Sequence, residues 1–192
     1  MATACVLTIG NELVSGDVPN TNASWIAKRL APLGVETRLI AAVPDEVETI
    51  AEFIRREAPL VDFLVVTGGL GGTPDDLTRE AISHAFDVPQ EEIPELAADL
   101  RARFARDPDY AARWAQLPRG SRSLGNPLGG APGFVIENVY VVPGLPAEYH
   151  ASLWGKSFPT AHAAIEALTA SLRPGATIAV MPEGPYVLAR AA

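Results

Sequence analysis

A glycine-rich turn over residues 67–73, Thr67-Gly68-Gly69-Leu70-Gly71-Gly72-Thr73, is the part of this sequence best suited to chemistry. It follows the apolar run 63–66, which is typical of a buried strand, and it precedes a segment with the composition of a helix start. A strand that passes through glycines into a helix N-terminus directs several backbone N–H groups and a partial positive charge at one point. The turn therefore predicts a binding site for phosphate or pyrophosphate. A purely conformational role is the alternative, because glycine also serves tight turns.

Common motifs of other enzyme classes are missing around this turn. No Gly-Lys-Ser/Thr follows it, and Pro74 stands where a dinucleotide fingerprint needs glycine or alanine, which argues against a P-loop nucleotidase and a dehydrogenase. Ser15 lacks the Gly-x-Ser-x-Gly elbow of α/β-hydrolases. The three histidines lack the spacing of a helical zinc pair; they are His84, His150 and His162.

Two adjacent aspartates, Asp75 and Asp76, follow the turn directly. Carboxylates beside a phosphate site are typical of a bridging divalent cation, because Mg²⁺ is commonly held by one or two carboxylates and by phosphate oxygens. The alternative is a helix start, with Thr73 as N-cap, Pro74 in the first helical position and Thr73-x-x-Asp76 as a capping box. On such a helix the two side chains point about 100° apart, so we expect Asp76 to face the ligand and Asp75 to point away.

Two further acidic residues lie in predicted loops. Asp45 follows the second predicted strand, where ligands are expected, but Asp45-x-x-Glu48 also has capping spacing. Asp45 is therefore either a helix cap or an acid of the site. Glu12, in the loop after the first predicted strand, is either a supporting acid of the site or a solvated side chain.

Apolar periodicity predicts the elements that position these residues. Short apolar runs predict strands at 3–9, 35–43 and 62–67. Apolar positions spaced by three and four predict helices at 23–33, 45–58 and 73–86. Three strand–helix alternations imply right-handed crossovers and a doubly wound parallel sheet, with ligands at the carboxyl ends of the strands. The loops 10–19 and 68–74 are expected to lie at those ends.

The second half of the chain has weaker patterns. We expect a helix over 94–114 that breaks near Asp107-Pro108, then a long loop over 117–133. Strands at 134–136 and 139–142 are expected to form a β-hairpin. Further along, the sequence predicts a helix from Pro146, another over 161–172, and one or two short strands within 177–190.

The composition limits the classes of protein to consider. The chain has 192 residues, 48% of them hydrophobic, which suits one folded domain with a small appendage. A formal charge of -8 would repel nucleic acid and anionic membrane surfaces, so neither is expected as a partner. Cys5, the one cysteine, lies in an apolar run and predicts a core residue in a reducing, cytoplasmic compartment. We expect no targeting segment and no membrane span.

Several motifs occur in a fixed order. They are Gly10-Asn11-Glu12-Leu13, Gly16, Asn20-Thr21-Asn22, Val43-Pro44-Asp45, the segment from Thr67 to Thr78, Asn126-Pro127-x-Gly129-x-Ala131-Pro132-Gly133-Phe134 and Pro143-Gly144-Leu145-Pro146-Ala147-Glu148. Together they resemble the MoaB/Mog-like molybdopterin-binding domain, in the version found at the N-terminus of CinA, the competence/damage-inducible protein A. The similarity covers about residues 4–150, and the ordered set is more specific than any one motif.

The resemblance implies a three-layer α/β/α fold with a mostly parallel sheet for residues 1–150, followed by a helical and strand extension of unknown role over 151–192. It implies a pyrophosphatase that acts on an ADP-ribose-like nucleotide with Mg²⁺, Mn²⁺ or Co²⁺. The alternative is a molybdopterin-binding or adenylyltransferase-like module. Asp75 stands where adenylyltransferases carry arginine, which argues against adenylyl transfer. Gly72 stands where CinA-type sequences usually carry proline.

The same resemblance implies the site residues. Asp45 and Asp76 are expected to hold the metal and to act in catalysis. Related domains form dimers or trimers, so a homo-oligomer is expected. The phosphorylated ligand, a nucleotide or a pterin, is expected to contact Gly10, Asn11, Glu12, Thr67, Gly68, Gly69, Leu70, Gly71, Gly72, Thr73, Asp75, Thr78, Pro143, Gly144 and Glu148.

Overall fold

The first half of the chain alternates strands with helices, as its periodicity predicts. The structure is a computed structural model that describes residues 1–126 and 130–144. The strands of this part are β1 Ala2–Ile9, β2 Val35–Val43, β3 Phe63–Thr67, β4 Gln90–Glu92, β5 Gln116–Pro118, β6 Arg122–Leu124, β7 Gly133–Ile136 and β8 Val139–Val142. Its α-helices are α1 Asn11–Val14, α2 Thr21–Leu30, α3 Val47–Glu57, α4 Thr78–Phe86, α5 Pro94–Arg103 and α6 Pro108–Ala112.

Six of these strands form one sheet in the order β2-β1-β3-β8-β7-β6. The pairs β1/β2, β1/β3 and β3/β8 are parallel, whereas β7 pairs antiparallel with both β8 and β6. Strands β4 and β5 form a separate antiparallel pair. The mostly parallel sheet with packed helices confirms the predicted α/β/α class. Because β1 and β3 are neighbours, the loops that follow them meet at the same edge of the sheet.

Strand β1 lies inside the sheet, and its residues 4–9 are buried. Cys5 and Leu7 are fully buried within the same apolar cluster as Leu64 and Val66 of β3. Ala4 and Val6, on the opposite face of the strand, are fully buried as well. Burial on both faces is what a continuous apolar run predicts for a central parallel strand. Burial also raises the pKa of the Cys5 thiol, to about 11.

We expect Cys5 to resist thiol reagents in the folded protein. Its thiolate fraction at pH 8 is on the order of a hundredfold lower than for a thiol with an ordinary pKa, and the side chain has no exposed surface. A disulfide reagent should therefore label the native protein very slowly at pH 8 and the guanidinium-unfolded protein at once. The same pKa shift makes stability depend on pH. Folding raises the pKa of Cys5 from 9.0 to about 11, so the contribution of the buried thiol to stability is complete below pH 9.0 and is lost as the pH rises through about 11. Rapid native labelling would contradict this burial.

The helix predicted over 23–33 is present as α2, which begins at Thr21, and as the 3-10 turn Ala31–Leu33 that follows it. The Asn20 side chain accepts a hydrogen bond from the Ala23 amide at 3.1 Å, which is the N-cap contact. A short 3-10 turn follows the helix, and Gly34 ends it in the left-handed conformation with φ 73°. This element therefore presents its N-terminal loop, residues 10–20, at the edge of the sheet where β1 ends.

The predicted starts of the next two major helices are wrong. Helix α4 begins at Thr78, so Thr73 is not its N-cap and Pro74 is not its first residue. Helix α3 begins at Val47 with Glu46 in the N-cap position, so Asp45 is not a helix cap. Asp76 instead accepts hydrogen bonds from amides of the glycine-rich turn, and Asp45 accepts one from the amide of Asn11, the first residue of α1. Because Asp75 and Asp76 precede α4, the 100° spacing of helical side chains does not apply to them.

The predicted hairpin and the predicted helix break are confirmed. Strands β7 and β8 pair through a turn in which Glu137 has φ 49°. Helix α5 ends before Asp107, whose side chain caps α6 through the Tyr110 amide at 3.1 Å. The expected loop over 117–133 is partly wrong, because β5 ends in it and β6 lies within it. These short strands lack a periodic apolar signal.

Helices α5 and α6 pack together around a small apolar cluster of their own. Its buried members are Ala97, Leu100, Ala111, Ala112 and Ala115. Phe104 and Trp114 pack against this cluster. We refer to residues 94–115 as the helical hairpin.

Several predicted elements lie outside the described residues. They are the helix from Pro146, the helix over 161–172, the strands within 177–190, the site residue Glu148 and the whole extension 151–192. In the described part, no helix is long and apolar enough to cross a membrane.

Candidate functional site

A cleft of about 640 Å³ opens where β1 and β3 end. This volume lies within the range of small-molecule sites. The loop after β1, the loop after β2 and the glycine-rich turn after β3 form its walls. The lining residues are Thr8, Ile9, Gly10, Glu12, Leu13, Val18, Pro19, Asn20, Thr21, Asn22, Asp45, Thr67, Gly68, Gly69, Thr73, Asp75, Asp76 and Gly144.

The glycine-rich turn needs glycine at its first two glycine positions. Gly68 and Gly69 have φ angles of 106° and 61°, which side chains disfavour. A Cβ on Gly68 would collide with the Ile9 carbonyl oxygen of the neighbouring strand. A Cβ on Gly69 would collide with the hydroxyl of Thr78, which donates a hydrogen bond to the Gly68 carbonyl at 2.8 Å. These two glycines therefore allow the chain to continue from β3 while it packs closely against the end of β1.

The carboxylate of Asp76 holds the second part of the turn. Its Oδ1 accepts from the Gly71 amide at 2.9 Å, and its Oδ2 accepts from the Thr73 amide at 2.8 Å and from the Thr73 hydroxyl at 2.6 Å. Three hydrogen bonds to one carboxylate occupy three of its roughly four acceptor positions. Asp76 is therefore a structural residue of the turn, with one acceptor position left for a ligand.

Arg79 supports the turn from the other side. Its Nη1 donates to the Leu70 carbonyl at 2.7 Å and its Nη2 to the Gly71 carbonyl at 2.9 Å. Burial lowers the pKa of Arg79, while the nearby Asp76 and Tyr110 raise it. Because the C=O and N–H of one peptide point in opposite directions, these two bonds fix the amides of Gly71 and Gly72 away from Arg79. A planar guanidinium is well suited to bonding two carbonyls at once.

Asp45 joins the loops that follow β1 and β2. Its Oδ2 accepts from the Asn11 amide at 2.9 Å, and the Asn11 side chain accepts from the Asp45 amide at 3.3 Å. The reciprocal pair holds the first turn of α1 beside the cleft. One acceptor position of the Asp45 carboxylate is used, so most of its capacity remains for a ligand.

Two other carboxylates line the cleft. Asp75 is exposed, and its carboxylate makes no hydrogen bond or ion pair with the described residues. The expectation that Asp75 points away from the site is therefore wrong. Glu12 folds back over Gly10, since a Cβ on Gly10 would come within 2.5 Å of Glu12 Oε1. Glu12 thus belongs to the wall of the cleft.

The charged side chains that line the cleft are all acidic among the described residues. Four carboxylates line it, whereas no lysine, arginine or histidine does so among the described residues. Neighbouring carboxylates in one cleft repel each other and any anionic ligand. A bound cation would remove this repulsion. No group of three or more His, Cys, Asp or Glu within residues 1–126 and 130–144 is arranged to hold a metal by itself.

The predicted ligand-binding residues divide into two groups. One group lines the cleft: Gly10, Glu12, Thr67, Gly68, Gly69, Thr73, Asp75 and Gly144, together with Asp45 and Asp76. The other group lies behind it and shapes it: Asn11, Leu70, Gly71, Gly72, Thr78 and Pro143. Leu70 and Thr78 are buried, so their side chains belong to the core. Pro143 contributes its carbonyl, which accepts from the Thr67 hydroxyl at 3.3 Å.

Sequence reasoning missed Arg79 and Tyr110. Arg79 lies in the first turn of α4, where the helix dipole disfavours a cation, and this conflict was a usable signal. Tyr110 comes to the turn from the helical hairpin, and nothing in its local sequence indicates that. The apolar part of the cleft wall was missed as well; it includes Leu13, Val18 and Pro19.

Residues 5–160 match a family model described as a probable molybdopterin binding domain. A CinA-like protein from Parasynechococcus marenigrum is 41% identical over 155 residues, which are 76% of this chain and 37% of that protein. A protein from Archaeoglobus fulgidus is 40% identical over 146 residues, 74% of this chain and 62% of that protein. The chain thus spans 37% and 62% of the length of these two curated relatives.

A solved structure has the same fold over nearly its whole length. The crystal structure of a CinA protein of unknown function from Thermoplasma acidophilum superposes with a TM-score of 0.73 and 30% identity. The match covers 79% of this chain and 94% of that one. The sequence match to the family model covers most of the chain and includes all three loops of the cleft. This chain therefore belongs to the molybdopterin-binding domain family, in the form found in CinA-like proteins.

Proposed function

We propose that the cleft hydrolyses the pyrophosphate bond of an ADP-ribose-like nucleotide with the help of a divalent metal ion. The observation that carries the proposal is the pairing of a glycine-rich turn with four carboxylates and no basic side chain in one cleft. Such a cleft repels a bare pyrophosphate and accepts one that arrives with a divalent cation. The cleft volume of about 640 Å³ suits a ligand of nucleotide size.

The chemistry of the available donors fits Mg²⁺, Mn²⁺ or Co²⁺. Carboxylate oxygens suit these cations, and Mg²⁺ sites are commonly completed by water and phosphate oxygens. Asp45 retains most of its acceptor positions and Asp76 retains one, so both would hold the metal, with water and phosphate oxygens completing its ligands. A bound metal would neutralise phosphate charge and lower the pKa of an attacking water.

The residues of the chain itself would bind and orient the ligand. The Gly72 N–H is directed away from Arg79 and donates to no intramolecular acceptor within the described residues. Hydrogen bonds from amides to a phosphate contribute roughly 1.5–3 kcal/mol each. The apolar wall at Leu13, Val18 and Pro19 lies in the same cleft and would face the uncharged part of the ligand.

The test is incubation with ADP-ribose and Mg²⁺, Mn²⁺ or Co²⁺, with chromatography of AMP and ribose 5-phosphate. The matched variant is Asp45→Asn, which keeps an acceptor for the Asn11 amide but loses the charge. We expect turnover to fall roughly tenfold or more while the melting temperature changes little. No product with any of the three metals would overturn the proposal.

The second candidate is a binding module for molybdopterin or a related phosphorylated pterin, without turnover. The family match favours it, because the matching model is described as a probable molybdopterin binding domain. Asp45→Asn should then weaken pterin binding measured by calorimetry, and ADP-ribose should remain intact. The two candidates thus differ in a single assay.

A further inference from the structure

Gly72 is in contact with Tyr110 of the helical hairpin. A Cβ on Gly72 would collide with the hydroxyl oxygen and Cζ of Tyr110 and would lie 3.0 Å from its Cε2. The backbone of Gly72 does not itself require glycine, because its φ is not in the left-handed region. What excludes a side chain at position 72 is therefore the ring of Tyr110.

The ring of Tyr110 is held in place by its neighbours. It packs edge to face on Trp114, with ring centroids 5.7 Å apart, and Trp114 packs in the same way on Phe104 at 5.2 Å. Asp107 caps the helix that carries Tyr110. Because aromatic pairs of this kind stabilise one arrangement, moving the ring away from Gly72 disturbs the helical hairpin.

Arg79 and Tyr110 contact adjacent residues of the turn. Arg79 bonds the Gly71 carbonyl at 2.9 Å, and Tyr110 lies over Gly72, the next residue. The two side chains are close enough for Tyr110 to raise the pKa of Arg79. Neither side chain lines the cleft, so any effect on a ligand passes through the turn.

We propose that Tyr110 is a positioning residue of the glycine-rich turn, and that position 72 is glycine so that the Tyr110 ring can close over it. The ring packs against the Gly72 Cα while Arg79 fixes the carbonyl of the preceding peptide, so the Gly72 amide keeps one direction. The helical hairpin thereby supports the site without contributing to its wall. This role in ligand binding rests on the proposed function of the turn.

The packing of the Tyr110 ring against Gly72 is tested by a double-mutant cycle, with the melting temperature as the readout. We expect Gly72→Ala to lower the melting temperature by about 5 °C, because the new methyl displaces the ring. In a Tyr110→Leu background, which lacks the three colliding atoms, the same change should have little effect. Tyr110→Phe keeps Cζ and Cε2, so Gly72→Ala should remain costly there.

Gly125→Ala is the matched glycine control. Gly125 has no positive φ, and a Cβ there would meet nothing within 4 Å, so the change should not lower the melting temperature. Equal effects of Gly72→Ala in the parent and in Tyr110→Leu would overturn the contact.

The role of Tyr110 in positioning the turn for its ligand is tested by calorimetry with AMP and Mg²⁺ and by the kinetics of ADP-ribose cleavage. Tyr110→Leu should weaken AMP binding and raise KM roughly fivefold, with a smaller change in kcat, because the turn holds phosphate. Gly72→Ala/Tyr110→Leu should bind as tightly as Tyr110→Leu alone. Unchanged binding and KM in Tyr110→Leu, beside a parent that binds AMP, would overturn positioning and leave the proposed function intact. A parent that neither binds AMP nor cleaves ADP-ribose would overturn the proposed function and the positioning role with it, while the thermal cycle still decides the contact.

Discussion

Replacing Asp76 with asparagine is expected to reduce metal-dependent turnover roughly a hundredfold or more and to lower stability by about 2 kcal/mol. The carboxylate accepts from two amides and one hydroxyl within the turn. An asparagine amide group would place N–H donors against the amide of either Gly71 or Thr73, and it also lacks the charge that a metal ligand needs. Activity with ADP-ribose and the melting temperature should both fall.

Asp75→Asn is the control for Asp76→Asn. It is the neighbouring residue with the same change of charge, and its carboxylate has no hydrogen bond within the described residues. Its melting temperature should match the parent, while its activity reports whether the free carboxylate takes part in metal binding. If Asp76→Asn unfolds at the temperature of the parent, the hydrogen bonds of Asp76 do not stabilise the turn. If Asp76→Asn keeps the activity of the parent, Asp76 is not the principal acid of the site.

Replacing Arg79 with methionine is expected to lower stability by about 3 kcal/mol, or roughly 10 °C in melting temperature. The change leaves the carbonyls of Leu70 and Gly71 without their donor, and it removes the cation nearest to Asp76. Turnover should fall as well, because the Gly72 amide loses its fixed direction. Arg79→Lys should give an intermediate loss, since one ammonium group does not reproduce the paired geometry of a guanidinium.

Arg122→Met is the matched control for the loss of one positive charge. Arg122 is exposed in β6 and has no ion pair among the described residues. Its stability and activity should remain close to those of the parent. If Arg79→Met and Arg122→Met unfold at the same temperature, Arg79 does not support the turn.

The strands and the amphipathic helices were predictable because each depends on its own local pattern. Val35–Val43 is a strand with the predicted limits, and Asn20 caps α2 as its type suggests. The hairpin of β7 and β8 was predictable for the same reason, despite an unfavourable glutamate at position 137. In these places local preference and tertiary packing agree, so sequence alone was sufficient.

The geometry of the site was not predictable, because side chains there bond to distant or competing partners. Asp76 has the spacing of a helix-capping acid, yet loop amides compete for its carboxylate and α4 begins only at Thr78. Asp45 has the same spacing, and its partner, Asn11, lies 34 positions away. Tyr110 reaches Gly72 only after the helical hairpin packs. The residue types of the site were visible in the sequence, whereas their contacts depend on the tertiary fold.

The bond between the Thr67 hydroxyl and the Pro143 carbonyl has a consequence for the order of folding. It joins residues 76 positions apart, and it forms where β3 pairs in parallel with β8. Closing so long a chain loop is slow, because entropy is lost before the contact stabilises anything. The loops after β1, β2 and β3 line the cleft, and Gly144, two residues after β8, joins them only when β8 has paired. The cleft is therefore expected to be complete only after β8 has paired with β3, and ligand-dependent protection should not precede that pairing during refolding.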